Sequence, residues 1–167
     1  EIFIDKITKG GILVYNAEDS EVKRVAEAAT NPIRKMAYTT PNYEVKHGVT
    51  LLETPEGPMP IEVFGAHNLN NLAGAKWICQ NMGVDEADFY EAIASFKGAS
   101  KRLEKIAEGK GKVAYKDFAH SPSKVAATTK AVKEQYPNRT VVACLELHTY
   151  SSLNAEFLKE YEGALEY

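Results

Sequence analysis

Short apolar, β-prone runs alternate along this chain with stretches whose apolar residues recur every three or four positions. That alternation restricts it to an α/β fold. Ile12-Leu13-Val14-Tyr15 ends at Asn16 and reads as a buried strand. Ser20 then predicts the cap of a helix carrying Val22, Val25, Ala26 and Ala29 on one face, closed by Asn31-Pro32. Residues 49–52 and 61–64 are strand candidates, with Thr54-Pro55-Glu56-Gly57-Pro58 as the turn between them. A helix from His67 to Met82 follows, with Leu69, Leu72, Ala73 and Trp77 on one side and Gly83 as its stop. Asp85 opens another, with Phe89, Ile93 and Phe96 inward.

The pattern changes across Lys97-Gly98-Ala99-Ser100, so a domain boundary is expected there, dividing residues 1–98 from 99–167. Residues 103–107 and 113–117 read as a hairpin around Gly109-Lys110-Gly111. Ser121-Pro122 begins a helix in which Val125, Thr129, Val132 and Tyr136 repeat on one face, and Pro137-Asn138 stops it. Residues 140–147 are mostly apolar, the composition of a strand buried on both faces of a parallel sheet. Phe157, Leu158, Tyr161 and Leu165 mark a last helix. In such folds ligands sit at the C-terminal ends of the strands.

Composition removes several alternatives. Lys plus Arg is 20 against 23 for Asp plus Glu, a net charge of −3, which argues against a nucleic-acid partner. No apolar run approaches the ~18 residues of a membrane span, so no membrane association is expected. Cys79 and Cys144 are too far apart and too few for a disulfide framework, and the cytosol is the expected compartment. The histidines and cysteines show no zinc spacing, so no metal site is expected in the chain. Gly109-Lys110-Gly111-Lys112 lacks the spacing and hydroxyl of a phosphate-binding P-loop. The chain opens at Glu1 inside an apolar pattern and stops at Tyr167 inside a helical one, which predicts a piece of a longer protein.

Four polar clusters punctuate the pattern. Phe64-Gly65-Ala66-His67-Asn68-Leu69-Asn70-Asn71 stands at a strand-to-helix junction, where free N–H groups and the helix dipole suit a polar ligand. Asn68 and Asn71 are three apart and each offers a donor and an acceptor, as an adenine edge requires; equally, His67 or Asn68 could simply cap the helix. Lys101-Arg102 follows the boundary and could reach a phosphate or could be a solvated surface pair. Lys116-Asp117-Phe118-Ala119-His120-Ser121-Pro122 places Asp117 to accept from ribose hydroxyls and His120 to contact phosphate or move a proton; equally, both could tie down the turn. Glu146-Leu147-His148-Thr149-Tyr150-Ser151-Ser152 fits a substrate-facing loop or ordinary loop chemistry.

In this order, the clusters resemble the Mur ligase family, ATP-dependent amide-forming enzymes of peptidoglycan synthesis. The family's Gly-x-His-Asn-x-x-Asn stretch is matched by Gly65, His67, Asn68 and Asn71. Its basic pair after Phe-x-Gly is matched by Phe96-Lys97-Gly98 and Lys101-Arg102, with Lys101 where Arg is common. Its Asp-Asp-Tyr/Phe-x-His-His-Pro loop is matched from Lys116 to Pro122, with the first Asp and second His replaced. Within the family, the chain resembles the muramate–alanine ligases and the murein peptide ligases. The linker and Asp117 loop resemble the recycling branch, His148 and Tyr150 the alanine-adding one.

The resemblance implies the end of a central ATP-binding domain over 1–98 and the beginning of a Rossmann-like C-terminal domain over 99–167. It implies that His67, Asn68 and Asn71 hold adenine, that Asp117 accepts from ribose, that Arg102 reaches the phosphates or the ribose, and that His120 lies near the phosphates, with Arg102 and His120 as catalytic residues. His148 and Tyr150 then face the incoming amine, and the C-terminal domain supplies half of a nucleotide clasp on closing. ATP and Mg²⁺ are the implied cofactors, with the P-loop, magnesium-binding carboxylate and carbamylated lysine upstream. UDP-N-acetylmuramate and an amino acid or peptide are the implied substrates. The rival reading is a non-enzymatic α/β module that binds nucleotide or a partner protein.

Overall fold

The computed structural model describes residues 2–147 and 149–166. It is mixed α/β and separates into two compact units: residues up to Asn42 with His67–Ala94, and Tyr43–Ala66 with the residues from Ser95 onward. The units interleave along the chain, so they divide it differently from a boundary at 98/99.

The first unit holds α1 (Ile2–Asp5), β1 (Ile12–Asn16), α2 (Ser20–Ala28) and β2 (Arg34–Tyr38), then α3 (Ala66–Asn81) and α4 (Glu86–Ala94). β1 and β2 pair in parallel, Ile12 opposite Arg34 and Asn16 opposite Tyr38. Parallel strands need a long connection, and α2 supplies it. Ile4, Leu13 and Ala26 form the core beneath. Asp19, not Ser20, caps α2: its carboxylate accepts the N–H groups of Glu21 at 3.0 Å and Val22 at 2.9 Å. A carboxylate complements the positive helix end, so Asp19 takes the cap and Ser20 becomes the first helical residue. Gly74 lets α3 lie against Tyr38, since a Cβ there would stand 2.9 Å from the ring. Lys76 bridges α3 to α4 through Glu86 at 2.6 Å and the Tyr90 hydroxyl at 3.1 Å. Partial burial alone pulls its pKa down, but the Glu86 and Tyr90 hydrogen bonds outweigh this and leave it raised.

The second unit begins with an antiparallel sheet ordered β3 (Tyr43–Lys46), β4 (Val49–Thr54), β5 (Gly57–Ile61). The strand expected at 61–64 runs earlier and shares only Ile61 with that expectation. Pro58 and Pro60 obscured it; β5 is an edge strand, where a missing N–H is tolerated. The hairpin of β6 (Glu104–Gly109) and β7 (Lys112–Lys116) turns through Lys110 and Gly111, both left-handed as a two-residue turn requires. α5 (Pro122–Gln135) starts with Pro122 in its first turn. Its last turn is tied to the three-stranded sheet of the same unit. Buried Thr50 donates to Gln135 at 3.0 Å, and Gln135 donates to the Gly48 carbonyl at 2.6 Å. Tyr43 donates to Glu134, and burial followed by that carboxylate pushes its pKa up to about 12.

Three sequence expectations are corrected. Phe96 does not face inward: it lies past the end of α4 and is 46% exposed. Residues 140–147 form no strand. A strand exists only against a partner's backbone, and no described strand pairs with this segment. Val141, Val142 and Leu145 line a cavity of about 830 Å³ with Val113, Tyr115, Val125 and Val132, although Val142 is 89% exposed. The last helix is fragmentary: α6 (Ala155–Leu158), capped by Asn154, gives way to a 3₁₀ turn, and left-handed Gly163 breaks the path before Leu165.

Candidate functional site

The first polar cluster opens α3. Gly65 is left-handed, and Ala66 is the first helical residue, so the capping position falls on Gly65 rather than on His67 or Asn68. Both sit inside the first turn, half-buried, and Asn71 lies one turn on, exposed. Asn68 and Asn71 are three positions apart on this helix, and side chains at that spacing are neighbours.

Asn70, between them, is buried and points to the ends of the parallel strands. Its amide donates to Glu18 at 3.0 Å, the Thr40 hydroxyl at 3.3 Å and Asn16 at 3.4 Å. Glu18 also accepts the Thr40 N–H at 2.9 Å and hydroxyl at 2.8 Å. The start of α3 is thereby fastened to the C-terminal edge of β1 and β2, the edge where α/β folds bind ligands. In the sequence reading Asn16 stands only as a strand end and Asn70 only as part of its cluster, and nothing is assigned to Glu18 or Thr40; the available signal is a polar residue at or just past the end of each parallel strand.

Arg102 stands in a loop of unusual backbone. Lys101 and Leu103 on either side of it are left-handed, with φ of 58° and 48°. Each such residue costs about 1 kcal/mol and persists only when its surroundings hold it. The Leu103 side chain is buried with Phe64 and Ala131. The Arg102 guanidinium lies 6.0 Å from the Phe118 ring centroid.

Asp117 follows the last residue of β7, and its carboxylate is engaged. One oxygen accepts the Leu103 N–H at 2.7 Å; the other accepts the Ala119 N–H at 2.6 Å and the Thr128 hydroxyl at 3.3 Å. His120 pairs Nδ1 with the Phe118 carbonyl at 2.9 Å. A carbonyl only accepts, so Nδ1 carries the proton. The Tyr161 hydroxyl donates to the His120 carbonyl. His120 immediately precedes the Ser121 cap of α5.

Arg102, Asp117 and His120 thus share one neighbourhood of the second unit, through Phe118 and Leu103. His67, Asn68 and Asn71 share the start of α3. Tyr150 is 95% exposed in a turn before a 3₁₀ segment, and His148 lies outside the described residues. Among the described residues no three His, Cys, Asp or Glu side chains converge on a metal position. No helix among them is long and apolar enough to cross a membrane.

No protein-family model matches the chain. Among curated proteins it is 28% identical to a UDP-N-acetylmuramate–L-alanine ligase of Caldicellulosiruptor bescii, over 98% of this chain and 38% of that protein. It is 31% identical to the enzyme of the same name from Crocosphaera subtropica, over 90% of this chain and 30% of that protein. The chain therefore spans roughly a third of the length of these relatives. Its fold matches a crystal structure of MurF from Acinetobacter baumannii with a TM-score of 0.70, 16% identity, 96% of this chain covered and 36% of that one. It also matches Mycobacterium tuberculosis folylpolyglutamate synthase complexed with ADP, with a TM-score of 0.57, 15% identity, 75% of this chain and 30% of that one. The likeness to these curated ligases runs over nearly the whole of this chain, and the chain belongs to the Mur ligase family.

Proposed function

We propose that this chain is part of an ATP-dependent ligase that joins an amino acid or peptide to UDP-N-acetylmuramate in peptidoglycan synthesis or recycling. Residues 1–98 are then the end of the central ATP-binding domain, and 99–167 the beginning of the C-terminal domain. The observation that carries this reading is the start of α3, where Asn68 and Asn71 stand on one regular turn fastened by Asn70 to the parallel strand ends.

In this reading His67, Asn68 and Asn71 take adenine: a carboxamide offers the paired donor and acceptor that the base edge needs. Arg102 neutralises phosphate charge, and His120 lies close to the phosphates at the α5 start. Asp117 belongs to the nucleotide side of the site, and His148 and Tyr150 to the side of the incoming amine. The muramyl carboxylate oxygen bonds to the γ-phosphorus as the bridge to ADP breaks, giving an acyl phosphate. The amine nitrogen then bonds to the acyl carbon and loses a proton as phosphate leaves. Catalysis rests on positioning and charge neutralisation. The reading carries a cytoplasmic location.

The test is an assay of the native full-length protein with ATP, UDP-N-acetylmuramate and either alanine or a murein tripeptide. Phosphate release that needs both the muramate nucleotide and one of the amines is expected. Absence of release with every amine contradicts the reading.

A further inference from the structure

We propose that Glu18 is a positioning residue for base recognition: its carboxylate holds the Asn70 amide and so fixes the rotation of the α3 turn that presents His67, Asn68 and Asn71. The inference deepens the nucleotide reading above and rests on it.

Glu18 is itself held from both parallel strands. Asn16 closes β1, and its Oδ1 accepts the Glu18 N–H at 2.9 Å. The Ala17 N–H donates at 2.9 Å to the carbonyl of Tyr38, the last residue of β2. The carboxylate then grips Thr40 twice, Oε1 accepting its N–H at 2.9 Å and Oε2 its hydroxyl at 2.8 Å. Two bonds to one residue fix the plane of the carboxylate. Oε2 also accepts the Asn70 amide at 3.0 Å. The Thr40 hydroxyl at 3.3 Å and Asn16 at 3.4 Å are more distant acceptors of the same amide. All of these residues belong to the first unit.

Asn70 is three positions after His67 and next to Asn71, on one hydrogen-bonded stretch of helix. Such a turn rotates as a rigid piece, so a hold on Asn70 is a hold on its neighbours. Buried Leu69 and Leu72 press the helix inward. Apolar burial is non-directional, whereas a hydrogen bond weakens steeply as it bends. The Glu18 bond therefore supplies the angular precision that a paired contact to a base edge demands. A misplacement of about 1 Å can cost as much as about a hundredfold in rate. Glu18 is exposed, so removing its carboxylate opens no void in the core.

The experiment compares kcat/KM for ATP with that for purine riboside 5′-triphosphate, which lacks the 6-amino group. It uses the native full-length protein with its muramate and amine substrates. Phosphate release is the readout, and thermal unfolding is recorded for each variant. Asn71→Ala is expected to lower the native preference for ATP about tenfold. Glu18→Ala is expected to lower it about three- to tenfold, through the KM for ATP, with kcat within about twofold. Glu18→Gln leaves one oxygen for three donors, and Asn70→Asp sets carboxylate against carboxylate, so each should lower the preference as well. The two together exchange donor and acceptor across the same bond and should restore the preference to within about twofold of native. A role in the fold alone would shift the melting temperature and leave the choice between the two nucleotides native.

A native preference in Glu18→Ala, with Asn71→Ala impaired, overturns the proposal and leaves the base reading intact. A native preference in Asn71→Ala removes the base reading, and the proposal with it. A double variant no better than its singles also overturns the proposal, because the Glu18–Asn70 bond is then not what the singles disturb. Where Asn70→Asp fails to fold, Glu18→Ala at its exposed position decides the matter.

Discussion

At the start of α3 the candidate ligand side chains stand on a regular helix whose own hydrogen bonds fix the backbone. One buried carboxamide, Asn70, then ties that helix to Glu18 and Thr40. Around Arg102 the backbone is irregular, with two left-handed residues, and carboxylates must hold it. In the first region regular structure does the positioning and side chains fasten the element as a whole. In the second, side chains fix the backbone residue by residue. The difference sets what each region tolerates.

The largest contrast should come from core leucines. Leu69, fully buried in the first turns of α3, should cost about 2–5 kcal/mol as Leu69→Ala in denaturant unfolding. Leu103→Ala should fall in the lower part of that range, and Leu103→Gly should be no worse, because glycine relieves a φ of 48°. A glycine variant distinctly less stable than the alanine one breaks the claim that Leu103 is strained.

Asn70→Leu should cost about 1–3 kcal/mol by removing the donor that Glu18, Thr40 and Asn16 share. A neutral result would mean that the strand ends hold α3 without it. Next comes a difference of sign. Lys101→Gly should stabilise by up to about 1 kcal/mol, since a left-handed lysine becomes a permissive glycine. Asn71→Gly, in a helix, should destabilise by a few tenths of a kcal/mol. Equal signs in thermal melts would erase the distinction between the two regions.

The smallest effect concerns pH. The Lys101 N–H first, then the Ser100 hydroxyl and the nearby Lys116 and Lys101 charges, lower the Glu104 pKa below its usual 4.5. A carboxylate with a depressed folded pKa stabilises above its unfolded pKa and loses that contribution as pH falls through the folded value. The melting difference between the native chain and Glu104→Gln should therefore be constant above about pH 5 and shrink toward pH 3. A difference that grows on acidification contradicts the Glu104 contact.

Periodicity made most of the first region legible. β1, α2 and α3 announce themselves by apolar spacing, and Gly83 stops α3 where left-handed glycine is needed. The cap of α2 was misread by one residue because Asp19 and Ser20 are both good caps and only geometry chooses between them. The second region was legible in its hairpin and in α5, but not in its loop. Nothing in the letters Lys101-Arg102-Leu103 announces a left-handed backbone, since that conformation is imposed by Glu104, Asp117 and the burial of Leu103. Residues 140–147 show the converse. Their apolar composition reads as a strand, but pairing is a property of two segments, and composition reports only one. His67, Asn68 and Asn71 were found by motif, whereas Asn70 and Glu18, which fasten them, belong to no pattern read from the sequence.

The most direct measurement is the steady-state ATP kinetics of Asn71→Ala in the native full-length protein. Contacts to adenine are alike in the ground and transition states, so the KM for ATP should rise about tenfold or more while kcat stays within about twofold. A loss confined to kcat, with the KM for ATP unchanged, would mean that α3 does not read the base.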